Sequence, residues 1–579
     1  MLGKDAHMAA AQSGSPIIGI DLGTTNSCCA VVKDGKPFVI PSREGHNTVP
    51  SVVALNHKGK LLVGHPAKAQ MLTNPAQTIY GSKRLVGRPF ASPIVSQIKD
   101  RFHYDIVEGP QGDCAVRLGD MTFTLQEIAS LILKEVKEIA QNHLGGEVSR
   151  AVITCPAFFN DNQREAVREA GALAGLKVER VLNEPTAAAL AFGWGRNLAQ
   201  KVLVYDLGGG TFDVSLLDLK GTVYEVLATG GDTFLGGVDF DNQLVDHLLL
   251  AFQQKNGKVF NGDRVAMQRI VDAAERAKCA LSEQTQTRVH VPFVTLIDDQ
   301  PFDVDVTVSR EEFHELTDGL IERTLASCRD VLGARELKPE NVDEVLLVGG
   351  QSRMPRVREK LSAFFGKVPH KGVHPDEAVA MGAAILAHSM QVAEGITLLD
   401  VLPMSVGLSL PGGRFKPVIP RNTALPHTKS YKLRTTRDNQ TEFELVVYQG
   451  EAEKAAENEF LGTVKLTGLP KAPRGVVELV VGFTMSSESA LTVNARELST
   501  RREISTEFKT RRAETSGTGA GEIEPGVTLP RMPAIRLPED GPAPAPSGRN
   551  EVAGAATRSP MPPAGFWARI KSWFVGPSA

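Results

Sequence analysis

Three glycine-rich turns follow apolar segments that are predicted to be strands. Two are closely similar, Asp21-Leu22-Gly23-Thr24-Thr25 and Asp206-Leu207-Gly208-Gly209-Gly210-Thr211, and the third is Gly349-Gly350 after EVLLV. Glycine allows backbone N–H groups to approach a phosphate closely, and threonine hydroxyls add further donors. A single Asp-Gly pair is typical of an ordinary turn. Three such turns at strand ends indicate a polyphosphate site.

Four carboxylates accompany these turns and favour a divalent cation. Asp21, Asp206, Asp213 and Glu184 supply the oxygen ligands that Mg²⁺ prefers. The sequence contains no G-x-x-x-x-G-K-[ST] motif, which excludes a P-loop enzyme.

The elements that position these turns alternate along residues 17–393, which predicts an α/β fold. Strands are expected at PIIGIDLG, RAVITCPAF, KVLVYDLGGG and EVLLVGG, and helices at FTLQEIASLILKEVKEIAQNHL and DNQREAVREAGALAGL. The repeated Asp-Leu-Gly turn indicates two related half-domains that face one ligand.

The predicted secondary structure changes from mixed α/β to all-β after a short apolar stretch at residues 394–400. Residues 401–510 alternate strands and turns, and we expect antiparallel hairpins at YKLRTTRDNQTEFELVVYQGE and GVVELVVGFTMSSESALTVNARE. Residues 511–564 are rich in Pro, Gly, Ala and Ser and are predicted to be disordered. Residues 565–579 are predicted to be a short aromatic amphipathic segment, and residues 1–16 a flexible N-terminus.

Composition excludes several classes of protein. A net charge of −3 argues against bulk binding to nucleic acid. The six cysteines show no metal-ligand spacing, and we interpret them as reduced thiols of a cytoplasmic protein. Cys155 is open to a redox role, although a buried apolar role is favoured. The N-terminus has no apolar core of a secretory signal.

Eight segments carry a family resemblance. They are IGIDLGTTNS, KRLVGR, PAFFNDNQR, NEPTAAALAFG, YDLGGGTFDVS, GDTFLGGVDFD, LVGGQSRMP and HPDEAVAMGAA. In order and content they closely resemble the signature segments of the seventy-kilodalton heat-shock (DnaK-type) chaperones, from about residue 17 to about residue 510. The resemblance implies an actin-like two-lobed ATPase domain at 17–393, a linker at 394–400 and an all-β sandwich peptide-binding domain at 401–510.

The resemblance also assigns nucleotide-site roles. Lys83 is the implied catalytic lysine, Asp21, Glu184 and Asp213 are the implied holders of hydrated Mg²⁺, and Thr211 lies beside the γ-phosphate. The remaining implied ATP or ADP contacts are Gly23, Thr24, Thr25, Asn26, Gly208, Gly209, Gly210, Glu275, Lys278, Ser282, Gly349, Gly350, Arg353 and Asp376. K⁺ is a further implied cofactor. The alternative for Lys83 is a solvated surface lysine.

Communication between the two domains is assigned in the same way. Pro156 and Arg164 resemble the family's proline switch and its relay arginine. Leu398, Leu399 and Asp400 resemble the interdomain linker, which is expected to dock on the ATPase domain in one nucleotide state and to be free in the other.

A peptide-binding channel is implied in the β domain. Its pocket matches Leu408, Leu433, Phe443, Leu445 and Val447, and its arch matches Pro411 and Thr436. Without the resemblance, the five apolar positions would be interpreted as plain sandwich core. Phe443 replaces a smaller family residue, which predicts a narrower pocket that selects smaller side chains. Pro411 and Thr436 stand where methionine and alanine are usual in bacterial members.

The C-terminal part departs from the family. Typical members continue into a helical lid of about a hundred residues, whereas this chain shows no sustained helical period there. We therefore predict a lidless member with fast peptide release. GFWARIKSWF is interpreted as a docking peptide for a partner or for the protein's own channel, as a membrane-surface foot, or as a sticky end without function.

The functional hypothesis is an ATP-dependent, stress-response chaperone for exposed apolar segments of unfolded proteins. Its implied partners are a J-domain cochaperone and a nucleotide-exchange factor. One alternative is an exchange or scaffold relative that binds ATP but scarcely hydrolyses it. A second alternative is a sugar kinase or filament-forming protein on the same ATPase fold, against which the linker and the β module argue.

Overall fold

The computed structural model describes residues 16–370, 374–392, 395–498 and 500–510. Residues 1–15 and 511–579 lie outside the described residues. The predictions of disorder at 511–564, of a missing lid and of an aromatic docking segment at 565–579 therefore fall outside them too. No helix among the described residues is both long and apolar enough to cross a bilayer.

Lobe I is built around a mixed sheet with the strand order β12-β11-β1-β2-β3. Strand β1 pairs in parallel with β11 and antiparallel with β2, so it is an interior strand of the sheet. The turn after Asp21 lies where this strand ends. Its elements are β1 (Ile17–Asp21), β2 (Asn26–Lys33), β3 (Lys36–Val39), β4 (Val49–Pro50), β5 (Val53–Leu55), β6 (Leu61–Val63), α1 (His65–Gln70), β7 (Thr78–Ile79), α2 (Pro93–Ile98), β8 (Ile106–Glu108), β9 (Cys114–Leu118), β10 (Met121–Thr124), α3 (Leu125–Leu144), β11 (Arg150–Cys155), α4 (Asp161–Leu173) and β12 (Lys177–Asn183), with 3-10 helices at Pro75–Gln77, Ser82–Arg84 and Lys99–Arg101.

Lobe II repeats this topology in the order β18-β13-β14-β15-β19. Strand β13 pairs in parallel with β18 and antiparallel with β14, which places the second Asp-Leu-Gly turn at the corresponding position. The lobe contains α5 (Glu184–Gly193), β13 (Ala199–Leu207), β14 (Phe212–Lys220), β15 (Val223–Asp232), α6 (Gly237–Asn256), α7 (Arg264–Leu281), β16 (Gln286–Ile297), β17 (Gln300–Ser309), α8 (Arg310–Gly333), β18 (Glu344–Val348), α9 (Pro355–Phe365) and α10 (Ala378–Ser389), with 3-10 helices at Pro339–Asn341 and Gly350–Arg353; β19 is Thr397–Leu399.

Helices α5 and α10 join the two lobes through direct backbone contact. A Cβ on Gly382 of α10 would lie 1.8 Å from the carbonyl oxygen of Ala187 on α5, and a Cβ on Gly19 of β1 would lie 2.1 Å from the nitrogen of Ala384. The apolar cluster around these helices takes residues from both sheets, including Val152 and Val204. The spacing of the lobes therefore depends on these glycines.

The β module forms two sheets that share strand β27 and enclose one core. Its strands are β20 (Val406–Ser409), β21 (Phe415–Ile419), β22 (His427–Arg434), β23 (Glu442–Gln449), β24 (Glu459–Thr467), β25 (Glu478–Met485), β26 (Leu491–Glu497) and β27 (Glu503–Thr510), with a 3-10 helix at Ala455–Glu457. The order β21-β20-β23-β24-β27-β26-β25-β22 gives the sandwich expected from the sequence.

One predicted hairpin is wrong. Strands β22 and β23 do not pair with each other; β22 pairs with β25, whereas β23 lies between β20 and β24. The connection between them crosses from one sheet to the other, and a pattern of alternating residues does not specify which strand a neighbour pairs with. The second predicted hairpin, β25 with β26, is present.

Gly382→Ala is expected to lower the thermal stability of the protein, because its Cβ would overlap the Ala187 carbonyl. Overpacking of this kind costs about 1–3 kcal/mol. The matched control is Gly319→Ala in α8, where a Cβ would meet nothing within 4 Å. The control should be neutral or raise the melting temperature, since alanine restricts the unfolded chain. Equal melting temperatures for the two variants would contradict the close helix contact.

Candidate functional site

The predicted carboxylates converge where the two sheets face each other. Asp21 ends β1, Asp206 and Asp213 are paired across β13 and β14, and Glu184 is the first residue of α5. Burial, reinforced by Glu184, raises the pKa of Asp21 and of Asp213 to about 7. Burial also raises the pKa of Asp206 well above its usual value. Such a cluster gains stability from a cation that offsets the mutual repulsion.

Lys83 reaches into this cluster from lobe I. Its side chain is only 7% exposed, and Nζ lies 2.6 Å from Oε1 of Glu184. Burial alone would lower the pKa of Lys83, but the carboxylates of Glu184 and Asp21 raise it above its usual value. Lys83 is therefore a buried cation next to the carboxylates, and the interpretation as a solvated surface lysine is wrong.

The two Asp-Leu-Gly turns face each other at close range. A Cβ on Gly209 would lie 2.0 Å from Oγ1 of Thr25, and one on Gly210 would lie 2.4 Å from Cγ2 of Thr24. The carbonyls of Gly208 and Gly209 accept hydrogen bonds from the backbone at the start of α6, each at 2.9 Å. Gly209 and Gly210 must be glycine, because a side chain at either position would push the two lobes apart.

The predicted adenosine residues occupy the lobe II side of the cleft. Lys278 on α7 donates to Oδ2 of Asp241 at 3.0 Å and to the Gly237 carbonyl at 3.2 Å. Arg353 forms an ion pair with Asp376 next to Gly350, while Glu275 lies on α7 and Ser282 follows its end. Gly349 has a φ of 80° and packs against the Leu207 carbonyl. Asn26 is exposed at the start of β2.

Sequence reasoning gave no role to two residues that hold this site together. Asp241 pairs with Lys278, and Arg84 bonds to the Gly210 carbonyl at 2.8 Å and pairs with Asp239. Both residues lie inside the quoted signature segments. Their partners are tens of residues away, however, so the sequence spacing carried no signal of these contacts.

A family model described as Hsp70 protein matches residues 17–524. The chain belongs to the Hsp70 family. Hsp70 proteins are ATPases that act as molecular chaperones, and ATP regulates their binding of peptide. They combine an ATPase domain with a β-sandwich domain, bind ATP or ADP with Mg²⁺, and work with cochaperones. The α/β lobes and the eight-stranded β module agree with that organisation.

The segment after Pro156 and the predicted relay residue Arg164 lie in one hydrogen-bonded path. The backbone N–H of Phe158 donates to Oδ1 of Asp213 at 3.0 Å, two residues after Pro156. Arg164 is buried and donates to the carbonyls on either side of Phe158 and to Oδ1 of Asn183. Asn183 then donates to Oδ2 of Asp400 at 2.7 Å. A carboxylate of the cluster is thus connected to the end of the linker.

The predicted linker residues lie on lobe II as a strand. Strand β19 pairs in parallel with β15, with Leu398 opposite Tyr224 and Leu399 opposite Glu225. Leu398 packs against the apolar cluster between the lobes, whereas Leu399 is 40% exposed. Burial raises the pKa of Asp400 above its usual value, against the nearby charge of Arg164.

The sandwich contacts both lobes. On lobe I, Arg168 pairs with Glu488 at 2.9 Å, and Asn162 donates to the Phe460 carbonyl at 3.2 Å. On lobe II, the Thr229 backbone N–H donates to the side chain of Asn422 at 3.0 Å. The sandwich is therefore positioned by both halves of the cleft.

The predicted peptide-pocket residues lie in the sandwich core. Each is at most 3% exposed and belongs to one apolar cluster: Leu408, Leu433, Phe443, Leu445 and Val447. Pro411 and Thr436 are partly exposed, the former in the turn after β20 and the latter after β22. Their role in binding peptide stays a prediction.

Five of the six cysteines are buried. All six are free, and Cys279 alone among them is exposed. Burial raises the pKa of Cys155 to about 11, so its thiol stays protonated at neutral pH. This favours the apolar interpretation of Cys155.

Asn183→Ala is expected to weaken linker docking, because it leaves the partly buried Asp400 carboxylate without its side-chain donor. The cost of such a loss is about 1–3 kcal/mol. Hydrogen exchange at residues 397–399 should become faster. Asn47→Ala, which removes an exposed hydrogen bond to Glu377, is the control and should leave that exchange unchanged. Unchanged exchange in Asn183→Ala would show that the relay does not hold the linker.

Proposed function

We propose that this chain hydrolyses ATP in the cleft between its lobes and uses the nucleotide state to control the binding of unfolded segments. The observation that carries the proposal is the buried ion pair of Lys83 with Glu184, set against two facing glycine turns. Phosphoryl transfer requires mainly positioning and charge stabilisation. Lys83 can orient a water for attack, and Thr211 can donate to the transferred phosphoryl group.

Asp21, Glu184 and Asp213 would hold Mg²⁺, which supplies charge neutralisation at the phosphates. Among the described residues, no group of three or more acidic, histidine or cysteine side chains could by itself hold a metal ion. Mg²⁺ usually keeps several of its own waters, and we propose that these carboxylates hold it through water. We further propose K⁺ as a second cation of the nucleotide site.

The remaining nucleotide contacts follow the facing turns and the lobe II wall. The phosphates would contact Gly23, Thr24, Thr25 and Asn26 from lobe I and the glycines at 208–210 from lobe II. The adenosine would lie near Lys278, whose charge is held by Asp241. The other proposed adenosine contacts on lobe II are Glu275, Ser282, Gly349, Gly350, Arg353 and Asp376.

Coupling between nucleotide and peptide is proposed to run through Pro156, Arg164 and the linker. The path from Asp213 to Asp400 consists of hydrogen bonds between buried groups, which are sensitive to small displacements. The docked strand β19 would represent the state in which the sandwich rests on the lobes. Under this proposal the ATPase domain is residues 17–393, the linker 394–400 and the peptide-binding domain 401–510.

We propose a cytoplasmic, stress-related role with a J-domain cochaperone and a nucleotide-exchange factor as partners. The absence of a lid and the docking of residues 565–579 on a partner, on the protein's own channel or on a membrane surface remain proposals from sequence.

Lys83→Met is expected to slow single-turnover ATP hydrolysis by on the order of 10²–10³, because a preorganised charge is lost from the transition state. ATP binding should be retained. Lys58→Ala, an exposed lysine of the same lobe, is the control and should hydrolyse ATP at the wild-type rate. A wild type that binds ATP without turnover would instead support the scaffold-like alternative.

Phe443→Val is expected to increase the preference for leucine over alanine at the central subsite, because it removes the ring that narrows the pocket. Peptide arrays measure this preference. Phe483→Val is the matched control, since Phe483 is an equally buried ring on β25 of the other sheet. It should lower stability without changing the preference. A wild-type array that favours leucine as strongly as ordinary Hsp70 proteins do would contradict the narrow pocket.

A further inference from the structure

The hairpin of β16 and β17 in lobe II displays two large apolar side chains on its outer face. Phe293 is 73% exposed and Leu296 is 66% exposed. Among the described residues the two strands pair only with each other, and their inner face packs on the lobe II core through Phe302 and Val304. Exposed apolar side chains that share one face are typical of an interaction surface.

The backbone at Phe293 has a conformation that is unusual for a large side chain. Its φ is +49°, in the left-handed region, and the pairing of the two strands is bulged here. The Phe293 N–H donates to Oδ1 of Asp303 at 2.7 Å. Arg269 of α7 donates to the carbonyls of Pro292 and Phe293 at 2.6 and 3.2 Å. The bulge is thus bonded on both sides, and it presents the aromatic ring to solvent.

The tip of the hairpin carries an excess of carboxylates. Asp298 and Asp299 form the turn, and both are exposed. The backbone N–H of the bulge lowers the pKa of Asp303, which is therefore ionised at neutral pH. The cations at the tip are Lys258, which lies 2.6 Å from Asp298, and Arg269 beneath the bulge. Three carboxylates against two cations leave the exposed apolar pair beside a negative charge.

The other strongly exposed apolar side chains have cationic neighbours instead. Among the described residues, Val368 and Val476 are the remaining large apolar residues that are more than half exposed, at 73% and 62%. Val368 follows Lys367, and Val476 lies two residues after Arg474. An apolar segment with positive charge would therefore favour the hairpin over these two positions.

One segment of this chain has that character. Residues 565–579 contain two phenylalanines, two tryptophans, Arg569 and Lys571, and no acidic residue. They are joined to the sandwich through residues 511–564. A stretch of that length spans at most roughly 190 Å when it is fully extended, so its reach does not restrict the segment to the sandwich. Tethering also makes a weak contact intramolecular, which raises its effective concentration.

We propose that residues 565–579 dock on the outer face of the β16–β17 hairpin of the same molecule. The aromatic side chains would cover Phe293 and Leu296, and the two cations would lie toward the carboxylates of the tip. Any protein that binds this face would first have to displace the segment. This inference does not rest on ATP hydrolysis, and the surface is separate from the proposed peptide channel in the sandwich.

Tryptophan fluorescence of the full-length protein reports the docking directly. Two of the three tryptophans of the chain lie in the segment, at positions 567 and 573, and the third is Trp194. In the purified Trp194→Phe protein, the emission should lie at a shorter wavelength than that of a free peptide of residues 565–579, because docked indole rings leave water. No nucleotide is needed.

Phe293→Asn in that background is expected to return the emission to the wavelength of the free peptide. Asn is among the residues that accept a positive φ most readily, so the bulge should fold as before. The matched control is Val368→Asn, which removes an equally exposed apolar side chain outside the hairpin. The control should keep the shorter wavelength.

Charge reversal tests the same contact with the apolar side chains left in place. Asp299→Lys alone, and Arg569→Glu with Lys571→Glu, should each move the emission part of the way toward the free peptide. All three substitutions together should regain the shorter wavelength. The substitutions at 569 and 571 lie outside the folded domains, so their effect does not depend on the stability of lobe II.

The proposal is overturned if the Trp194→Phe protein emits like the free peptide, or if Phe293→Asn leaves its emission unchanged. A shorter wavelength that is lost on dilution would place the segment on a second copy. One that is lost in an excess of unfolded peptide would place it in the channel, and one that appears only with anionic lipid vesicles would place it on a membrane. Each of these three results also contradicts docking on the hairpin of the same molecule.

Discussion

The cluster of carboxylates around Lys83 is the constraint on which the rest of the molecule depends. Burying several negative charges together is costly unless cations and hydrogen bonds compensate them. Lys83 supplies one compensating charge through its contact of 2.6 Å with Glu184. The remaining imbalance is expressed in the raised pKa of Asp21 and Asp213, each to about 7. Under the proposed function, a metal–phosphate ligand would supply the positive charge that this site still needs.

The same cluster is the origin of the contacts that leave the cleft. Asp213 accepts a hydrogen bond from the backbone after Pro156, and Asp400 receives the last hydrogen bond of that path. On the other face, Arg84 joins the phosphate turn to lobe I. The first route includes Arg164 of α4, and the same helix carries contacts to the sandwich. Under the proposed function, a nucleotide that moves the lobes would act on groups already hydrogen-bonded toward the β module.

Local signals in the sequence predicted much of the fold. Helix α3 begins at Leu125 because Thr124 and Glu127 form a capping box that the sequence contains explicitly. The predicted strands before both Asp-Leu-Gly turns are present, and they end at Asp21 and at Leu207. The pairing of β22 was not predictable, because alternation reveals which face is buried but not the neighbouring strand. Nor could the sequence decide whether Phe443 lines a pocket or fills the sandwich core, since both roles give the same apolar pattern.

By itself the sequence determined the glycine turns, the acidic residues beside them, the change to an all-β module and membership of the Hsp70 family. Each of these depends on residue types at short spacing. Only the tertiary structure decided that Asp241 compensates Lys278, that Arg84 crosses to Gly210 and that the linker adds a strand beside β15. These contacts join residues far apart in the chain, and only the packing of whole elements brings them together.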